Sequence, residues 1–215
     1  MAPILYMSLA SPPARAVIMT AEELGIKLEL KACNVIEKEQ FTPEFLRMNP
    51  SHTVPTLDDD GFYLFESGAI MTYLVNKYGK EDSLYPKDIK KRATVDQLLH
   101  FSTQSFTTFL YVARPIVLFS EKKSTISEEN KSRLFANIEI LEKIIGDKEF
   151  VTGNQLTIAD LSFVSWISTV DVMYTIEEGR FPSVVRWWKN LENRPCYKIN
   201  KEGVKQFANI WASRE

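Results

Sequence analysis

Three short stretches carry the residues able to do chemistry. In SLASPPAR, residues 8–15, two serines and two prolines stand between an apolar run, Ile4–Met7, and a helical pattern, Arg15–Leu24. Proline suits a first helical turn, where N–H groups lack intrahelical partners and φ is already near its helical value. Ser11, just before it, is placed to cap that turn. The same helix end favours an anion through free N–H groups and the helix dipole, so Ser11 can equally aim its hydroxyl at a bound anion. In HTVPTL, residues 52–57, Pro55 enters what otherwise reads as a strand. Proline is tolerated at a strand start, particularly as a cis peptide in a tight turn. A cis Val54–Pro55 bond would turn the Val54 backbone outward, free to pair with an extended ligand as an added strand does. A trans proline at a sheet edge is the plainer alternative. In FESGAI, residues 65–70, Glu66 and Ser67 fall on the first turn of a helix. Ser67 reads as a cap, and the site also offers N–H groups and a hydroxyl to a carboxylate, beside a Glu able to pair with an ammonium. An amino-acid zwitterion fits both.

The elements around these stretches must position them. ILYM is the first strand, the next helix stops at Gly25, and KLELKA (27–32) alternates as a second strand. TPEFLRMNP is a short helix or turn closed by Pro50. VPTLDDDGFYLF is two strands around an acidic turn ending in Gly61, and Ser67 to Tyr78 is a helix closed by Gly79. The order β-α-β then β-β-α predicts a mixed four-stranded sheet with helices packed on it. Polar GKEDSLYPKD (79–88) reads as a linker. Beyond it the periodicity is helical: Lys90 to Phe119 with a bend near Pro115, Ser127 to Ile145, Thr157 to Met173, Pro182 to Asn190, and a last helix ending near Trp211. The organisation expected is an α/β domain over 1–79, a linker over 80–88 and an all-α domain over 89–215. In LTIADL, Thr157 caps, Asp160 stands at N3 in a variant of the capping box, and Leu156 can staple to Leu161, which is a folding role.

Composition sets the frame. The chain has 215 residues, 45% hydrophobic and 25% charged, with a net charge of −2, so neither nucleic acid nor an anionic membrane is implied as a partner. Cys33 and Cys196 lie far apart, without metal-ligand spacing, which argues against a disulfide scaffold or a metal site and fits a reducing compartment. No apolar run could span a bilayer, and the N-terminus does not read as a signal peptide. A cytoplasmic protein is expected.

Taken together, the motifs S-P-P-x-R (11–15), N-P-x-H-T-V-P-T-L (49–57) and E-S-x-A-I (66–70) resemble the N-terminal pattern of the cytosolic glutathione transferases. The S-P-P form looks like the insect delta and epsilon classes, and GNQLTIADLSF (153–163) resembles the family's capping motif. The resemblance covers essentially the whole chain. It implies a thioredoxin-like domain, an all-helical domain, a homodimer, and glutathione as co-substrate with no permanently bound cofactor. It implies that Ser11 stabilises the glutathione thiolate. Glu66 and Ser67 would hold the γ-glutamyl end. Val54, beside a cis Pro55, would pair with the cysteinyl part, and His52 would reach the glycyl carboxylate with Thr53 lining the same wall. Two positions of this glutathione site depart from the pattern: Gln40 stands where a second histidine is common, and Gly68 where a long or basic residue often follows E-S. Both changes weaken polar contacts to glutathione and leave the thiolate site intact.

The chemistry is physically modest. A thiol near pH 7 is mostly protonated, and the thiolate is the nucleophile. Lowering its pKa by two units takes about 2.7 kcal/mol, and one charge-assisted hydrogen bond of roughly 1.5–3 kcal/mol covers most of that. The thiolate would attack a hydrophobic electrophile held by the helical domain. On the long helix Phe106, Phe109, Leu110, Ala113 and Val117 share one face. That stripe reads either as core or, by family position, as substrate pocket, with Phe207 and Trp211 of the last helix as a lid. Leu110 and Arg114 differ from the residues common at those positions in epsilon-type enzymes, which leaves substrate preference open. Detoxification of xenobiotics is the activity implied, with glutathione peroxidase as a side activity. A carrier of glutathione or apolar ligands with little catalysis is the alternative. Met71, Leu74, Leu98 or Phe101 is expected to face partly outward and to meet a two-fold mate, the alternative being that all of them are buried inside the monomer.

Overall fold

The computed structural model describes residues 2–214. Strand β1 (Ile4–Met7) leads into helix α1 (Pro12–Glu23), β2 (Glu29–Ala32), α2 (Pro43–Met48), β3 (Thr56–Asp59), β4 (Phe62–Phe65) and α3 (Ser67–Tyr78). The strands form one sheet in the order β2-β1-β3-β4, with β1 parallel to β2 and the other neighbours antiparallel. This is the mixed sheet the element order predicts. Helices α4 (Ile89–Phe119), α5 (Glu128–Ile145), α6 (Ile158–Met173), α7 (Pro182–Glu192) and α8 (Tyr197–Ala212) complete the chain.

Local chemistry accounts for the boundaries. At the hairpin, Asp60 and Gly61 have φ of 58° and 82°, the paired positive values that a two-residue loop takes to match strand twist. The Gly61 N–H donates to Asp58 Oδ1 at 2.9 Å. Helix α2 starts at Pro43, with Thr42 Oγ1 accepting from the Phe45 N–H. Helix α6 opens with the expected capping box between Thr157 and Asp160.

The core runs from the sheet into the helices. Leu5 of β1 pairs with Leu57 of β3, which pairs with Leu64 of β4. Leu5 and Leu57 are buried against Ile70, Met71 and Leu74 of α3. From Ile158 to Val170, α6 is buried at every position except Ser162, as a helix apolar on all sides must be. It packs on α1, α4 and α8, so the helical layer holds the first helix of the α/β unit from behind.

Three expectations need correction. β2 alternates in sequence, but all four of its residues are exposed because it is an edge strand. Ser67 is not the cap of α3: Glu66 is, at φ 69°, without a side-chain cap bond. Met71, Leu74 and Leu98 are buried within the chain itself, and Phe101 is half-buried against Phe163, so they form no outward patch. The apolar side chains that face out near that surface are Phe62 and Tyr63 on edge strand β4, at 50% and 43% exposure.

Candidate functional site

Strand register gathers the three sequence stretches. Tyr6 of β1 faces Thr56 of β3, and Thr56 faces Phe65 of β4. The turn leaving β1, the segment entering β3 and the start of α3 therefore emerge at one end of the sheet. The chain after β2 leaves at the same end, since Met7 faces Ala32.

Ser11 is the N-cap residue of α1 and is half-buried. A turn sets it in place: its N–H donates to the Ser8 carbonyl at 2.9 Å, and its own carbonyl accepts from the Arg15 N–H at 3.2 Å. Its hydroxyl does not cap the helix. Pro12 and Pro13 occupy the first two helical positions and have no N–H, so the usual cradle of amides is reduced to that of Ala14. What this helix end offers an anion is chiefly a hydroxyl, backed by the dipole.

The Val54–Pro55 peptide is cis. No hydrogen bond within the described residues uses the Val54 N–H or carbonyl. The segment is held from beneath by Asn49, fully buried, whose Nδ2 donates to the Thr53 carbonyl, Thr53 Oγ1 and Thr56 Oγ1 at 3.0, 3.1 and 2.9 Å. His52 is exposed at φ 46°, its ring 4.5 Å from that of Phe41.

The start of α3 is the opposite of that of α1. Ser67, Gly68 and Ala69 head the helix, and the first intrahelical bond runs from the Ile70 N–H to the Glu66 carbonyl at 2.9 Å. Three amides and the Ser67 hydroxyl are thus open to an anion, with the exposed Glu66 carboxylate beside them. A Cβ on Gly68 would meet no atom within 4 Å, so the absence of a side chain there is not forced by packing. Asp59 of β3 anchors this helix. It accepts from Tyr73 Oη at 2.8 Å, Lys77 Nζ at 2.7 Å and Tyr78 Oη at 2.8 Å.

Gln40 is not presented to this cleft. It is buried in the turn Glu39–Phe41, with Nε2 donating to the Val35 carbonyl at 3.3 Å and Oε1 without a partner. The pocket stripe also divides. Phe109, Ala113 and Phe207 are buried core, whereas Phe106, Leu110, Val117 and Trp211 are half-buried and accessible. The aromatic rings form a continuous series from α4 to α8: Phe106 on Phe109 at 5.4 Å, Phe109 near Phe207 at 6.0 Å, and Phe207 on Trp211 at 6.1 Å. Two open concavities lie elsewhere. One of about 340 Å³ sits at the far end of α1, around Ile18, Gly25 and Leu28. The other lies between α5 and Arg180.

Neither cysteine is primed. Burial pushes the Cys33 thiol up to about 11, with Glu39 adding to it, and burial pushes Cys196 up as well, with Glu23 adding to it. Among the described residues no cluster of His, Cys, Asp or Glu could hold a metal ion.

An α/β sheet carrying an unpaired hydroxyl, an open backbone segment and an amide-rich helix start at one end, backed by an all-helical layer, defines a protein that receives an extended anionic peptide-like ligand. Family models confirm the kind. The glutathione S-transferase N-terminal domain matches residues 5–82, and the glutathione S-transferase C-terminal domain matches residues 89–195. The chain belongs to the glutathione S-transferase family, and glutathione is its co-substrate. It is 34% identical to glutathione S-transferase D7 of Anopheles gambiae, over all of this chain and 99% of that one. Isozyme E7 of Drosophila melanogaster superposes with a TM-score of 0.94 at 41% identity, over 99% of this chain and 96% of that one. A Drosophila mojavensis glutathione transferase homologue with bound glutathione superposes at 0.93, with 38% identity, over 99% and 97%. These relatives are insect transferases of the kind the motifs resemble.

Sequence reasoning left out Asn49, Thr56 and Arg15 as positioning groups. All three lie inside the quoted motifs. The signal for Arg15 was a lone charge in the apolar run Ala14–Ala21, apolar there apart from Thr20.

Proposed function

We propose that this glutathione transferase joins the glutathione sulfur to hydrophobic electrophiles, xenobiotics among them, with Ser11 donating to the thiolate. The observation that carries this is the Ser11 hydroxyl, set at the head of α1 by the Ser8 turn and left without a capping role. In this reading Val54 pairs its free backbone with the cysteinyl unit, and Pro55 fixes the direction of that backbone. The α3 amides with Ser67 and Glu66 receive the γ-glutamyl end. His52 and Thr53 lie toward the glycyl carboxylate, while Gln40 and Gly68 contribute little. The electrophile sits against Phe106, Leu110, Val117 and Trp211, with the buried Phe109, Ala113 and Phe207 supporting them. The catalytic unit is a homodimer of chains, each with a glutathione domain over 1–79, a linker over 80–88 and a substrate domain over 89–215. The exposed Phe62 and Tyr63 support an interface at edge strand β4. Cytoplasmic residence follows from the family resemblance and fits two buried free thiols.

Ser11→Ala tests the reading. Losing a charge-assisted bond of about 1.5–3 kcal/mol lowers turnover by about ten- to hundredfold. The effect on turnover exceeds that on the glutathione KM, because the bond is worth most when the sulfur is ionised. The pH profile of turnover moves to higher pH. An unmoved profile removes Ser11 from this role. Tight glutathione binding without conjugation across a panel of electrophiles makes the wild-type protein a carrier.

A further inference from the structure

Arg15 is fully buried, yet it has no carboxylate partner among the described residues. Its Nη1 donates to the carbonyls of both Leu9 and Ala10, each at 3.1 Å. These are the central residues of the turn closed by the Ser8 carbonyl and the Ser11 N–H. The rest of the guanidinium is held by the helical layer. Nη2 donates to the Ser165 carbonyl at 2.7 Å and to Thr169 Oγ1 on α6, and Nε donates to Asn200 Oδ1 on α8 at 2.8 Å. Asn200 is in turn fixed through Nδ2 to Ser168 Oγ at 2.9 Å. Gly203 of α8 completes the enclosure: a Cβ there would stand 2.2 Å from Arg15 Cδ and 2.3 Å from the Leu9 carbonyl oxygen. One planar fork therefore fixes two peptide planes of the turn against two helices from the other half of the chain.

A buried cation is costly unless its donors are satisfied. The charge strengthens each bond to a carbonyl, and it stays in place at neutral pH even though burial pulls Arg15 down to about 9. Tyr197 of α8 is the titratable group that faces it, and burial raises that phenol to about 12, so it is neutral. The acids on the packed elements, Glu22 and Glu23 of α1, Asp160 and Asp171 of α6 and Glu202 of α8, make no bond to Arg15. Glu23 is paired with Arg194 at 2.7 Å.

We propose that Arg15 is a positioning residue for thiolate stabilisation: by gripping the Leu9 and Ala10 carbonyls from the helical layer, it sets the orientation from which Ser11 donates to the glutathione sulfur, with Gly203 holding the grip closed. Helices α6 and α8 thus act on the sulfur through the turn without touching glutathione. This rests on Ser11 being the thiolate donor, and the measurements separate the two.

The readout is the thiol pKa of enzyme-bound glutathione, from thiolate absorbance and from the pH profile of kcat/KM. Arg15→Lys keeps the charge but loses the fork. Gly203→Ala keeps the Arg15 side chain but drives a Cβ against both its Cδ and the Leu9 carbonyl, which forces grip and turn apart. Thr169→Val removes one anchor at nearly constant volume. Each raises the bound thiol pKa, by about one unit for the first two, with the glutathione KM within about twofold of wild type. In a Ser11→Ala background Arg15→Lys adds no further shift, the non-additivity expected of groups acting as a unit. Folded variants with an unmoved thiol pKa overturn the proposal, and so does a full shift that persists without Ser11. Should the first two not fold, Thr169→Val decides, and an unmoved pKa there overturns it. A Ser11→Ala protein whose thiol pKa is that of wild type refutes the Ser11 reading itself, whatever Arg15 does.

Discussion

Removing the Asp160 carboxylate should unfold this protein at a markedly lower temperature while leaving the chemistry of folded molecules alone. Asp160 is completely buried at the third position of α6. Its Oδ1 accepts from the Val151 N–H at 2.8 Å and Trp187 Nε1 at 2.9 Å. Its Oδ2 accepts from the Thr157 N–H at 2.9 Å and Thr157 Oγ1 at 3.0 Å. Val151, Thr157 and Trp187 are themselves buried, so Asp160→Ala strands four donors away from the surface. Each stranded donor costs about 1–3 kcal/mol taken singly. Because all four share one carboxylate their costs do not add, and about 3–5 kcal/mol is the reasonable total. For a chain of this size each kcal/mol lowers Tm by about 2–4 °C, which makes the fall roughly 6–20 °C. Thermal unfolding followed by circular dichroism measures it. Glutathione KM, determined well below the transition and normalised to folded protein, stays near wild type. A Tm within about 2 °C of wild type would refute the reasoning, because the four stranded donors would then together cost less than about 1 kcal/mol.

Other consequences follow from the same geometry. Glu66→Gln and Ser67→Ala should each raise the glutathione KM severalfold with turnover at saturation little changed; wild-type binding in both would remove the γ-glutamyl assignment. Burial works to raise the Asp59 pKa, but the bonds from Lys77, Tyr78 and Tyr73 outweigh it and hold the carboxyl below its ordinary value. The stability this supplies is present above the ordinary carboxylate pKa and is lost as pH falls through the depressed one. Below about pH 4 wild type should therefore lose Tm faster than Asp59→Asn, and parallel curves would deny the linkage. Light scattering on dilute protein should give about twice the 24.7 kDa chain mass, while a single active peak at the chain mass would exclude the dimer.

Most of the fold was legible because its local signals agree with its packing. Asp60-Gly61 names its own turn, Thr157 and Asp160 name the start of α6, and Gly25 and Gly79 mark helix ends. The site was legible where backbone chemistry is unusual, at Pro12, Pro13 and Pro55. It was misread where a backbone conformation or a side chain's direction is set by the folded surroundings rather than by its own residue type. Nothing near Ser67 says that Glu66 takes the cap at positive φ. Nothing near Leu74 says that its second face is filled from its own chain. Nothing near Gln40 says that its amide turns inward to Val35. Arg15 is the extreme case, since its partners Ser165, Thr169 and Asn200 lie 150 to 185 residues away.

The two helix starts at the site differ in a way that suits the two ends of the proposed ligand. A carboxylate has several lone pairs and gains from each donor, and α3 opens with Ser67, Gly68 and Ala69, none of which lacks an N–H. A thiolate must stay reactive. Once its pKa falls below ambient pH, further stabilisation yields no more thiolate, while intrinsic nucleophilicity drops by about threefold per unit. A cradle of three amides would hold the sulfur too well. The prolines at the first two positions of α1 remove two of those amides, and the Arg15 N–H is spent on the Ser11 carbonyl. In the proposed reading that makes the Ser11 hydroxyl the principal donor, whose single charge-assisted bond of about 1.5–3 kcal/mol covers most of a two-unit fall in the thiol pKa. Pro12→Ala or Pro13→Ala would restore a donor but also loosen the turn, so the prolines both limit the anion's stabilisation and fix the direction from which the hydroxyl delivers it.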